Sequence, residues 1–197
     1  KSAYIWKTIV DPFIGKYSLI KVCSGVIKSD DVIYNKDKDV EEKISKLYVM
    51  QGGKAIEVKE LHAGDIGAIA KLTAARTGDT LSTKANTIMY GKTDISTPYT
   101  YKRYKAVNKA DIDKISQSLQ KMMHEDLTLK AINDGENRQT LLAGMGDQHL
   151  DVVVSRLLNE YKVAIELSDP KVAYRETIKK KSDVEYKYKK QSGGHGQ

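Results

Sequence analysis

The first half of the chain alternates apolar and polar residues in short runs, each broken by a turn signal. Residues 3–10 and 17–24 are two β-rich runs, separated by Val10-Asp11-Pro12-Phe13-Ile14-Gly15. Further runs at 32–34, 47–50 and 66–70 lie between Gly25, Ser29-Asp30-Asp31, residues 35–39, Gly52-Gly53, Gly64-Asp65 and Gly78-Asp79. Short strands with frequent turns predict an antiparallel sandwich or closed barrel, and the barrel is the expectation for residues 1–97.

Past residue 98 the helical period joins the strand pattern. Residues 100–106 alternate and predict a strand. Ile112, Ile115, Leu119, Met122 and Met123 recur at helical spacing and predict a helix over 109–125, with Asn108 as its N-cap and Asp111 in the favoured first turn. Two short strands, 129–132 and 140–143, flank the polar turn 133–138. A second helix over 147–161 carries one stripe of Leu150, Val153, Val154, Leu157, Leu158 and Tyr161, and a strand follows at 163–167. The order β-α-β-β-α-β is that of an α+β ferredoxin-like domain, placed at 98–169, with both helices on one side of a four-stranded sheet.

Pro170 biases Asp169 away from helix and marks a boundary. Two further strands are expected at 172–180 and 184–190. Two strands do not make a stable domain, so residues 170–197 read as the truncated start of another α+β domain. The fold class is thus multi-domain, and the abrupt ends suggest a piece of something longer.

Composition narrows the function. Apolar residues make up 40% of the 197, enough for a buried core. No apolar run approaches the ~18 residues of a membrane-spanning helix. A single cysteine, Cys23, excludes an internal disulfide framework and a Cys-rich zinc site, and it fits a reducing, cytoplasmic compartment. The net charge of +7 is uneven: residues 171–197 hold eight basic and three acidic residues. The last segment therefore faces polyanions, and the rest is nearly neutral. Tyr186 and Tyr188 interleave with Lys187, Lys189 and Lys190, setting ring faces beside phosphate-seeking charges. The glycine-rich end behind them reads either as a disordered tail or as an RNA contact.

Motifs for catalysis are thin. Asn108-Lys109-Ala110-Asp111 matches the guanine-reading pattern of GTPases, but Asn86 stands where the first glycine of a phosphate loop ending in Gly91-Lys92-Thr93 should be, and no Asp-x-x-Gly occurs. Helix capping explains Asn108 and Asp111 better. Gly144-Met145-Gly146 leads into the second helix and reads as a tight turn or as an anion cradle, the turn being favoured. His62, His124, His149 and His195 lack metal-ligand spacing. No catalytic, cofactor or metal residue is assigned, and the chain by itself is not expected to be an enzyme.

Taken in order, the motifs resemble the middle of a bacterial translation elongation factor G. Residues 8–16, Thr-Ile-Val-Asp-Pro-Phe-Ile-Gly-Lys, are similar to the opening of that family's second domain. Ala63-Gly64-Asp65-Ile66 and Thr77-Gly78-Asp79-Thr80-Leu81 resemble its later strands. Residues 144–151, Gly-Met-Gly-Asp-Gln-His-Leu-Asp, resemble the third domain's Gly-Met-Gly-Glu-Leu-His-Leu-Glu. Residues 170–178 resemble the junction into the fourth domain, and Gln191-Ser192-Gly193-Gly194-His195-Gly196-Gln197 resembles that domain's tip loop. His195 in place of Arg, Asp147-Gln148 in place of Glu-Leu and Leu127 in place of Pro are departures that mark a divergent or paralogous member.

The resemblance implies a monomeric, cytoplasmic parent that binds GTP and magnesium in an N-terminal domain absent here. It implies docking on the ribosome and GTP-dependent translocation of tRNA and mRNA. By charge and resemblance together, the expected RNA-binding residues are Lys187, Lys189, Lys190, Gln191, Ser192, Gly193, Gly194, His195, Gly196 and Gln197. The alternatives are a ribosomal-protection or other paralogous translational GTPase and a stand-alone RNA-binding protein. The latter lacks stacking aromatics on its third strand, residues 139–144.

Overall fold

The computed structural model describes residues 1–11 and 15–187. Ten strands come first: β1 (Ser2–Asp11), β2 (Gly15–Ser24), β3 (Val26–Lys28), β4 (Val32–Asn35), β5 (Val40–Lys43), β6 (Leu47–Gln51), β7 (Lys54–Val58), β8 (Glu60–His62), β9 (Ile66–Ala70) and β10 (Thr80–Ser82). Eight form one antiparallel sheet in the order β5-β4-β10-β1-β2-β9-β6-β7, and β3 pairs with β8 as a separate ribbon. Alternation sends one face inward. Ile5, Ile20, Ile33, Leu47, Ile69 and Leu81 of the sheet meet Ile27 of the ribbon and Ile44 of the β5–β6 connection in one fully buried cluster.

The sheet therefore curls about this core as a barrel, and a smaller buried cluster of Tyr17, Leu19, Tyr48, Ala68 and Ala70 lies apart from it. Among the described residues no ladder joins the end strands β5 and β7 to each other. Gly67 illustrates how tight the curl is: a Cβ there would lie 2.8 Å from the Tyr48 carbonyl oxygen.

The second unit holds β11 (Thr100–Ala106), a 3-10 turn (Lys109–Asp111), α1 (Ile112–Glu125), β12 (Lys130–Asp134), β13 (Gln139–Gly144), α2 (Asp147–Asn159) and β14 (Ile165–Ser168). Its antiparallel sheet runs β12-β13-β11-β14, the ferredoxin-like arrangement. Ile115, Leu119 and Met122 of α1 and Leu150, Val153 and Leu157 of α2 share one core with Leu142 and Ile165 of the sheet.

Three expectations change. The first helix opens with the 3-10 turn, which the Asn108 side chain caps by accepting the Ala110 N–H at 3.1 Å. Ile112 and Leu158 lie outside the buried stripes and are 56% and 54% exposed. Leu158 sits about 100° round the helix from Leu157, at the rim. Ile112 overhangs an open cleft lined by Tyr104, Ile115, Ser116 and Thr140, where nothing covers it.

The strand expected at 172–180 is also corrected, as is the described part of that expected at 184–190: residues 171–187 form no ladder among the described residues, and 188–190 lie outside them. Strands need neighbours to satisfy their backbone groups, and this segment has none among the described residues. Val172, Tyr174, Ile178, Val184 and Tyr186 are accordingly exposed.

Candidate nucleic-acid interface

The basic segment is pinned at its start and leaves the domain along an exposed course. Lys102 Nζ on β11 pairs with Asp169 Oδ1 at 2.9 Å. Two residues on, the Gln139 carboxamide bonds both backbone groups of Lys171. Arg175 Nη2 then meets Glu136 Oε1 at 2.8 Å. From residue 176 to 187 every described side chain is exposed, including Lys179, Lys180, Lys181 and Lys187. Of the expected RNA contacts, only Lys187 is among the described residues. Lys189, Lys190, Gln191, Ser192, Gly193, Gly194, His195, Gly196 and Gln197 lie outside them.

The glycine turn into α2 is built as a turn. Met145 N–H donates to His149 Nδ1 at 3.1 Å, so that nitrogen is the acceptor and Nε2 carries the proton. Nε2 meets Asp126 Oδ2 at 3.0 Å, and Asp126 Oδ1 accepts both the N–H and the hydroxyl of Thr128. Burial pushes the Asp126 carboxyl up, but the bonds from Thr128 and His149 outweigh it and hold the group below its ordinary value. Gly144 is required by close approach: a Cβ there would lie 2.9 Å from His149 Nδ1 and 2.8 Å from Leu150 Cδ2. The ring occupies the Met145 donor internally, which removes it from any anion cradle.

The side chains of the GTPase-like fragments have internal partners. Asn108 directs its carboxamide oxygen to its own backbone turn. Lys92, the lysine of the partial phosphate loop, is held by Asp37 Oδ1 at 2.7 Å. Among the described residues, no group of three His, Cys, Asp or Glu side chains could hold a metal ion. No helix among them is long and apolar enough to cross a membrane.

Gln139, Lys102 and Glu125 hold the geometry of this region, and sequence reading missed all three. Gln139 meets Lys171 across 32 residues, Lys102 meets Asp169 across 67, and Glu125 meets Val10 across 115. The one local signal is a Gln at the start of a strand whose later residues are apolar.

Comparison with known proteins places these pieces. The family model described as elongation factor G domain 2 matches residues 1–84, that of domain III matches 95–169, and that of domain IV matches 170–197. A crystal structure of a Thermus thermophilus protein aligns with a TM-score of 0.74 at 26% identity, covering 87% of this chain and 26% of that one. The chain thus spans about a quarter of that protein's length. Barrel, ferredoxin-like module and basic continuation follow one another in the order of one factor's domains, and the chain belongs to the elongation factor G family, with the family's second and third domains and a part of its fourth.

Proposed function

We propose that this chain is the ribosome-docking middle of a translational GTPase that moves tRNA and mRNA during peptide elongation. GTP and magnesium would be bound by a domain outside this sequence, since Asn108 and Lys92 are committed to internal partners. The protein acts in the cytoplasm as a monomer. The barrel and the ferredoxin-like module supply rigid surfaces. The segment from Lys171 to Gln197 supplies salt-sensitive contacts to RNA through Lys187, Lys189 and Lys190 and the loop from Gln191 to Gln197.

The observation that carries this reading is the succession of three elongation factor G domain matches along one chain. A competition experiment tests it. The chain, labelled at exposed Cys23, is bound to ribosomes and followed by fluorescence anisotropy while full-length elongation factor G is added. Displacement by the full-length factor is expected. Persistent binding at saturating competitor would contradict a shared docking site.

A further inference from the structure

The barrel and the ferredoxin-like module have separate apolar cores. No buried apolar cluster among the described residues contains side chains from both. No shared core fixes their relative orientation, and one place where they meet is the contact between α1 and β1.

Glu125, the last residue of α1, stands at that contact. A carboxylate is locally misplaced there, because the helix dipole is negative at its C-terminal end. The side chain is nonetheless only 17% exposed, and its two oxygens go to different domains. Oε1 accepts the N–H of Val10 on β1 at 2.8 Å. Oε2 pairs with Arg156 Nη2 on α2 at 2.8 Å. Arg156 is itself held by both oxygens of Glu160, each at 2.9 Å.

The barrel-side donor is available for a simple reason. The β1–β10 ladder covers only Ser2–Tyr4, so the far half of β1 has no strand on that side among the described residues. Opposite Val10 on β2, the Lys16 carbonyl is turned away to accept the Lys71 N–H. The Val10 amide thus points out of the sheet, and Glu125 takes it.

We propose that Glu125 is an orientation latch between the two domains, with one carboxylate oxygen fixed to the barrel and the other to the module. Opening it leaves both cores intact and frees the module to rock on the barrel. This inference does not depend on ribosome binding.

The test uses the whole chain with spin labels at native Cys23 on β2 and at Val152→Cys, a 56% exposed position on α2. Pulsed electron double resonance reads the distance distribution. The parent is expected to give one narrow peak, and Glu125→Ala to at least double its width with both domains still folded by circular dichroism. Val10→Pro is the second variant. It removes the amide and leaves Glu125, Arg156 and the module untouched, on an edge that tolerates proline. It is expected to broaden the distribution likewise without changing the module's urea midpoint. A parental width in either folded variant overturns the latch, as does a loss of the module's fold in Glu125→Ala accompanied by parental width in Val10→Pro.

Discussion

Gln139 and Lys171 are joined as two paired strands would be, although only one of them contributes backbone. The Lys171 N–H donates to Gln139 Oε1 at 2.9 Å, and Gln139 Nε2 donates to the Lys171 carbonyl at 3.0 Å. The carboxamide stands in for a peptide group and fixes where the chain leaves the ferredoxin-like module. Gln139 is 5% exposed and its Nε2 also reaches Asp134 Oδ2 at 2.8 Å, so the side chain is oriented before it meets Lys171. Gln139→Leu keeps the bulk and removes both bonds. The Lys171 amide should then exchange about tenfold faster, the equivalent of about 1.4 kcal/mol in one hydrogen bond. Hydrogen exchange at that amide checks it, and an unchanged rate would mean the pin has no weight.

Leu157 and Leu158 are neighbours in sequence with opposite fates. Leu157 is fully buried, and Leu158 is 54% exposed. Leu157→Ala should destabilise the module by about 2–5 kcal/mol, as should Leu119→Ala on the facing helix. Leu158→Ala should stay within about 0.5 kcal/mol. Urea melts of the three variants decide, and equal losses at 157 and 158 would place α2 wrongly on its sheet.

Acid should loosen the turn between β13 and α2. Asp126 is held below its ordinary carboxyl value by Thr128 and His149 against the effect of burial. Its contribution is therefore complete above the unfolded value of about 3.9 and is lost as pH falls through the lower folded value. Asp126→Asn should remove that part of the acid dependence. His124 is shifted in a related way: burial, then Arg76 and Lys16, hold its imidazole below the usual range. Stability should accordingly begin to fall as pH drops below about 6.5, and His124→Gln should flatten that limb. Melting temperatures across a pH series check both, and variants that track the parent would contradict the assignment.

The chain alone should show no saturable binding of a fluorescent GTP analogue at micromolar concentration. Lys92 pairs with Asp37, and Asn108 caps its own turn. Saturable binding would show that these residues exchange their internal partners for a nucleotide.

Local pattern made much of the fold legible. The strands at 66–70 and 100–106 fall where alternation places them, and the stripes through Ile115, Leu119, Leu150 and Leu157 form the module's core. Pattern failed where neighbours decide. Ile112 has helical spacing but nothing above it, and residues 172–187 have strand composition but no adjoining strand among the described residues. The pins are less legible still: a Glu ending a helix has no signature of its own, and Gln139 offers only its place at the start of a strand whose later residues are apolar. Glu125 finds Val10 across 115 residues, and only the folded chain brings them together.

Binding to purified small ribosomal subunits across a salt series tests the central claim most directly. The chain should bind saturably, with affinity falling as salt rises. Replacing Lys187, Lys189 and Lys190 by Ala should weaken binding and flatten the slope, by about 0.7–0.9 for each phosphate no longer neutralised. No saturable binding at low salt, or a triple variant with the parent's affinity and slope, would contradict the account.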